Sequence, residues 1–213
     1  MAGGGDPHTM TIAVIQTPDA RIELDLRPWP DLSDAAFAAL CAANRDLRIE
    51  RTESGEIVIM PPTGAGAGYR NLRIGARLDR WAETDGTGVG FASSTGFVLP
   101  NGATRSPDAG WVRRERLAAL TPEQKDRFLP LAPDFAIELR SPTDRLPDLL
   151  AKMAEYIANG VQLAWLIDPI DRATYEYRPG SGVVTANSPD RLTGDPDLPG
   201  FVLDLTDIWE PGW

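Results

Sequence analysis

Residues 133–140 read "PDFAIELR". In an extended chain successive side chains alternate, so Phe135, Ile137 and Leu139 point one way while Asp134, Ala136, Glu138 and Arg140 point the other. The first face suits a core. The second carries Glu138 into a segment apolar enough to be buried, where a carboxylate is costly unless a positive group meets it. What meets Glu138 decides how the strand is used.

Downstream, "SPTDRLPDLLAKMAEYIANG" (141–160) has the marks of a helix. Pro147 fits its first turn, Gly160 fits the position just past its end, and Leu146, Leu149, Leu150, Met153 and Ile157 form an apolar stripe. "VQLAWLIDP" (161–169) then reads as a buried strand, and "RATYEYR" (172–178) returns after a turn at Asp168–Asp171. Strand, helix and strand in this order predict an α/β core whose central strands carry a polar edge.

Upstream, "RIELDL" (21–26) predicts a short strand, and "SDAAFAALCAAN" (33–44) a helix capped by Ser33 or Asp34. "LRIERTESGEIVIM" (47–60) predicts a hairpin turning at Ser54–Gly55. "PPTGAGAG" (61–68) reads as a loop without the Lys and Ser/Thr ending of a P-loop. The helix "YRNLRIGARLDRWAE" (69–83) should follow it, with Ile74, Leu78 and Trp81 on its apolar side. "VGFASS" (89–94) and "GFVLP" (96–100) are expected to pair about a turn near Thr95–Gly96, and "RSPDAGWV" (105–112) puts Asp108 at the entrance of another strand. Between that strand and residue 133, "RERLAALTPEQKDRF" (114–128) predicts a helical excursion, with a helix start at Thr121.

At 213 residues, with 42% hydrophobic and 24% charged content, the chain suits one globular domain at 21–213 behind a disordered lead-in at 1–20. It has no apolar run of about 18 residues, so no membrane span is expected. The lone Cys41 precludes an internal disulfide and fits a reducing cytoplasm. The lone histidine, His8, lies in the lead-in, which removes Ser-His-Asp and His-rich zinc chemistry. Chemistry therefore falls to carboxylates, Lys, Arg, Tyr or Ser. A net charge of −10 argues against a nonspecific polyanion binder without excluding a local basic groove. Only Lys125 and Lys152 among the 21 basic residues are lysines.

Asp108, Glu138 and Lys152 form a candidate constellation. Two carboxylates on neighbouring strands can hold a hard cation through oxygen, and the lysine can orient a water or offset charge on a phosphate. Each has a structural alternative. Pro107–Asp108 is a common turn pair, Lys152 can pair with Asp148 on the helix surface, and Glu138 can be neutralised by Arg140 or Arg105.

"RSPDAGWV" and "PDFAIELRSPTDRLPDLLAKMAEYIANGVQLAWLIDP", together with "MPPTGAGAGYRN" and "LPGFVLDL", resemble the Uma-type family of restriction endonuclease-like proteins, a bacterial branch of the PD-(D/E)XK nuclease superfamily. The likeness covers roughly residues 30–210. It implies a restriction-endonuclease-like three-layer core, a mixed central sheet flanked by helices, with β-hairpin extensions. It also implies a Mg²⁺- or Mn²⁺-dependent endonuclease that hydrolyses DNA phosphodiester bonds with an activated water. Under it, Asp108 and Glu138 are metal ligands and Lys152 completes the catalytic set. The superfamily's usual lysine position holds Arg140, a poor substitute for a group that handles water, so the lysine role passes to Lys152 on the next helix.

Ser141, Tyr156, Asn71 and Arg70 match family-like positions as supporting residues, with Arg140 beside them; Arg70, Arg73 and Arg77 are candidate nucleic-acid contacts, and Glu53 and Glu56 are candidates for a further acidic residue. A homodimer suits cleavage of both strands. The rival reading is a nuclease-fold interaction module that no longer cuts, which a solvent-facing Lys152 would favour. A glycosidase has little support, since Trp81, Trp111 and Trp165 sit at core-like positions.

Overall fold

Strand β8 (Phe135–Leu139) is buried at every position, and its two faces serve different halves of the structure. The computed structural model describes residues 22–24, 32–60 and 62–212, so the lead-in with His8 lies outside the described residues. β8 belongs to a six-stranded sheet with β4 (Gly88–Ala92), β7 (Ala109–Arg113), β9 (Leu163–Asp168), β10 (Ala173–Tyr177) and β11 (Val184–Asn187). The strand order is β11-β10-β9-β8-β7-β4. β8 and β9 run parallel because helix α5 (Leu146–Ala158) carries the chain back between them, whereas the other pairs are antiparallel, which makes the sheet mixed.

Alternation along β8 holds as the sequence predicts. Phe135, Ile137 and Leu139 join a cluster with Ile74, Leu78 and Ala82 of helix α2 (Ala65–Asp85) and with Phe201, Leu203 and Leu205 of the C-terminal segment. Ala136 lies in the opposite cluster, with Leu149, Met153 and Tyr156 of α5. Helix, sheet and helix give three layers. The α2 side is rich in aromatics: Trp165 stacks on Phe201 with ring centroids 5.7 Å apart, and Phe135 meets Trp165 edge-on at 4.8 Å.

A second sheet has the order β1-β3-β2-β6-β5, from β1 (Ile22–Leu24), β2 (Arg48–Arg51), β3 (Ile57–Met60), β5 (Phe97–Val98) and β6 (Thr104–Arg105). The expected hairpin is β2–β3. Helix α1 (Asp34–Ala43), capped by the Ser33 side chain, packs Phe37 against Ile49 and Ile57. Ile49 thus faces α1, and the period of two sends Arg48 and Glu50 to the other face of β2. The helical excursion between β7 and β8 consists of α3 (Arg114–Ala118) and α4 (Pro122–Lys125), the second started by a capping box at Thr121. Near the C-terminus, β12 (Arg191–Thr193) pairs with β13 (Val202–Asp204), and α6 (Thr206–Trp209) follows.

Two expectations fail. The glycine-rich stretch is not all loop: Gly64 is the N-cap, and α2 already includes Gly66 and Gly68. Burial of Ile74, Leu78 and Ala82 outweighs a glycine cost of about 1 kcal/mol each. Nor do residues 89–94 and 96–100 pair. After the turn at Ala92–Thr95 the chain changes sheets, β4 pairing with β7 and β5 with β6, and the other edge of β5 is taken by Leu129, whose carbonyl accepts the Val98 N–H.

Gly88 is a point of close packing. A Cβ there would lie 2.1 Å from Trp111 Cε2, inside the buried indole. Gly88→Ala is therefore expected to lose about 1–3 kcal/mol of stability through overpacking, read as a lower urea midpoint. An unchanged midpoint would refute this packing.

Candidate functional site

Asp108 directly precedes β7, and the antiparallel register Ala109↔Ile137, continued by one pair, sets it opposite Glu138. Both then share the face of the sheet covered by α5. Asp108 Oδ2 accepts the Leu139 N–H at 2.8 Å, which fixes the carboxylate at the end of β8. Its Oδ1 accepts from Arg48 Nη1 at 3.0 Å and Asn71 Nδ2 at 3.2 Å.

Glu138 is 3% exposed. Its Oε1 accepts from Tyr156 Oη at 2.8 Å and pairs with Lys152 Nζ at 2.8 Å. Lys152 and Tyr156 stand four apart on α5, so one turn of helix delivers both to the same oxygen. Lys152 Nζ also meets Glu50 Oε1 at 2.9 Å. Glu50 accepts in addition the Ser106 N–H at 2.9 Å and pairs with Arg105 Nη1 at 3.3 Å, while Arg105 Nε bonds Glu155 at 2.6 Å. The positive group facing Glu138 is thus Lys152, shared with a second buried carboxylate from the hairpin.

These two carboxyls are driven in opposite directions. Desolvation is the largest influence on Glu138, and with the nearby charges of Asp108 and Glu50 it outweighs Lys152 and Arg48, raising the pKa to about 7. Desolvation also acts most strongly on Glu50, yet Lys152, Arg105 and Arg48 together overcome it and lower the pKa to about 2. Burial and the neighbouring carboxylates push the Tyr156 phenol well above its ordinary range, so it remains a donor to Glu138. Burial opposes charge on Arg48, but Asp108, Glu50 and Glu138 more than compensate and raise it.

Other sequence candidates sit elsewhere. Arg140 Nη1 binds Asp168 at 2.6 Å and Asp171 at 2.9 Å, tying the end of β8 to the β9–β10 turn. Ser141 donates its N–H to Asp144 and shares a hydroxyl contact with Thr143 in the turn before α5. Arg70 Nε bonds the Ile208 carbonyl at 2.6 Å, Arg73 Nε bonds Asp207 at 2.9 Å, and Arg77 Nη1 bonds the Asp204 carbonyl at 2.7 Å. All three bind α2 to β13 and α6. Glu53 contacts Asn101 at 3.3 Å, and Glu56 lies in the hairpin turn beside Ser54. Glu50, three residues before Glu53, is the acid that reaches Lys152. Nothing in the sequence singles out Arg48, Glu50 or Glu155, although the alternation Arg48–Ile49–Glu50–Arg51 is a visible trace of the first two.

Among the described residues, no three Asp, Glu, His or Cys side chains converge at metal-binding spacing. A cation at Asp108 and Glu138 therefore has to be completed by neutral oxygens and water. Asn71 Oδ1 is one: it is buried without a partner, on the amide whose nitrogen already touches Asp108. This all-oxygen set suits a hard ion that keeps part of its hydration, such as Mg²⁺ or Mn²⁺, better than zinc. Among the described residues no helix is long and apolar enough to cross a membrane.

A family model, Uma2, described as "Putative restriction endonuclease", matches residues 34–206. The crystal structure of a protein from Anabaena variabilis, described as a putative nuclease belonging to DUF820, superposes with a TM-score of 0.64 at 20% identity, covering 76% of this chain and 89% of that one. At that identity the likeness bears on the fold. No curated protein matches the sequence significantly.

Proposed function

The chain belongs to the Uma2 family, and from that premise we propose that it is a metal-dependent endonuclease hydrolysing DNA phosphodiester bonds at Asp108, Glu138 and Lys152. The observation that carries the reading is Lys152. Its side chain is 10% exposed and meets Glu138 at 2.8 Å, so the amine is directed into the carboxylate site and not to solvent. That disfavours an interaction module with a surface lysine.

Asp108, Glu138 and the Asn71 carbonyl would hold Mg²⁺ or Mn²⁺, which when bound supplies Lewis-acid polarisation of the phosphoryl group and makes water easier to deprotonate. Glu50 and Tyr156 position the machinery: Glu50 holds Lys152 Nζ, and Tyr156 fixes one oxygen of Glu138. Lys152 then donates to a water or phosphate oxygen at the site, offsetting negative charge in the transition state. Arg140, committed to Asp168 and Asp171, keeps the end of β8 in place and takes no part in handling the water. A homodimer would bring two such sites to the two strands of a duplex, and the single thiol suits work in the cytoplasm.

The test is supercoiled plasmid incubated with the protein and Mg²⁺ or Mn²⁺. Cleavage that EDTA stops, and that Asp108→Ala lacks while remaining folded by circular dichroism, is the expected result. A folded protein that cuts with neither metal overturns the proposal.

A further inference from the structure

Two cavities flank the buried charges, and they differ in what they offer an anion. The larger, about 660 Å³, is lined by Lys152 and Arg105, but both cations are already paired with carboxylates, and Glu53, Asp148 and Glu155 share the lining. A phosphate there would meet three acids. The smaller, about 340 Å³, is lined by Arg45, Arg48, Ser93, Ser94 and Ser106, with Asp46 as its acid.

Part of its donor set is unspent. Among the described residues the Arg45 guanidinium and the Ser93 and Ser94 hydroxyls make no hydrogen bond or ion pair. Arg48 Nε is buried without a partner. The local sequence brings these groups together: Arg45 and Arg48 flank the entry to β2, Ser93 and Ser94 form the turn where the chain changes sheets, and Ser106 stands two residues before Asp108. Arg48 links the cavity to the site, because Nη1 holds Asp108 while Nη2 holds the Ser106 carbonyl.

We propose that this cavity is the subsite that receives a backbone phosphate of the DNA substrate beside Asp108, a step that rests on the nuclease reading. Guanidinium forks and hydroxyls are the usual phosphate-contacting groups, and a concave site can concentrate positive potential even on a chain of net charge −10. The substrate strand accordingly enters over the α1–β2 turn and the β4–β5 turn, not over the acidic mouth beside α5.

Arg45 and Ser94 are exposed, so their substitution leaves the core alone. Fluorescence anisotropy with a short duplex DNA, in EDTA and in Ca²⁺ so that cleavage does not intervene, gives the readout. Arg45→Ala is expected to weaken binding about tenfold at low salt and to reduce the slope of log K against log salt by about 0.9, the value of one phosphate contact. Asp46→Asn should tighten binding, Ser94→Ala should weaken it, and Arg191→Ala, on the small two-stranded sheet, should change neither affinity nor slope. Equal affinity and slope for wild type and Arg45→Ala overturn the subsite while leaving plasmid cleavage to judge the nuclease reading. Absence of DNA binding both in EDTA and in Ca²⁺ overturns it too. Inorganic phosphate binding that depends on Arg45 without DNA binding reassigns the cavity to a free anion and also overturns the proposal.

Discussion

Lys152→Met is expected to reduce plasmid cleavage at least about a hundredfold, the scale of losing one positioned charge at a developing anion. It should also destabilise the metal-free protein by about 3–5 kcal/mol, because one substitution removes the ammonium that two buried carboxylates share, leaving Glu138 with the Tyr156 hydroxyl and Glu50 with Arg105. Glu138 and Glu50 are 3% and 2% exposed and both reach the same amine. Methionine preserves most of the stem volume, so cavity formation contributes little. Lys152→Arg separates the two effects. It keeps a charge for both carboxylates and should recover much of the stability, but a wide planar guanidinium cannot set its charge where the compact ammonium does, so cleavage should stay low. Urea denaturation and plasmid cleavage on the same preparations decide the matter. Activity of Lys152→Met within a few-fold of wild type would remove the lysine from the chemistry.

A pH dependence of stability provides the second large effect. Glu138 has a pKa of about 7 in the folded protein, above the ordinary 4.5, chiefly through desolvation. Between pH 4.5 and 7 the folded state binds more protons than the unfolded one, so stability falls as pH rises and the loss is complete above about 7. Its size is on the order of 3 kcal/mol, the free energy of carrying a carboxyl pKa from 4.5 to about 7. Glu50 works in a separate window: lowered to about 2, it stabilises the fold above pH 4.5, and that contribution disappears as pH falls through 2. Glu138→Gln should therefore abolish the decline between pH 4.5 and 7 and leave the acid limb intact. Denaturation midpoints for both proteins from about pH 2 to pH 8 make the comparison. Parallel curves would mean that Glu138 is not the strained carboxyl.

The parts of this site that sequence reveals are those whose neighbours are close in the chain. Glu138 is conspicuous because β8 is otherwise apolar, and Lys152 because α5 is strongly patterned and lysine is so scarce. Their meeting follows from β8, α5 and β9 forming one crossover. Glu50 and Arg48 are different. They arrive from a hairpin almost a hundred residues earlier, and in sequence they are two charged residues in a short amphipathic strand. Only the packing of Ile49 on α1 tells which face is turned to Asp108 and Glu138. The helix start inside the glycine-rich segment is hidden for a related reason, since local propensity favours a loop and long-range burial of Ile74 and Leu78 favours helix. The partners of the strands on either side of Thr95 depend on which sheet offers an edge, and alternation along a strand carries no such information.

The three arginines of α2 that hold residues 204–208 also set an order of events in the cell. Phe201, Leu203, Leu205 and Ile208 complete the cover that α2 begins on the aromatic side of the sheet, so during translation that cover stays unfinished until residue 208 has left the ribosome. Phe135 and Trp165 thus stay only partly covered between the synthesis of residue 165 and that of residue 208, and chaperones have their opportunity to engage the chain in that interval. Arg70, Arg73 and Arg77 then act as the latch that ends that interval.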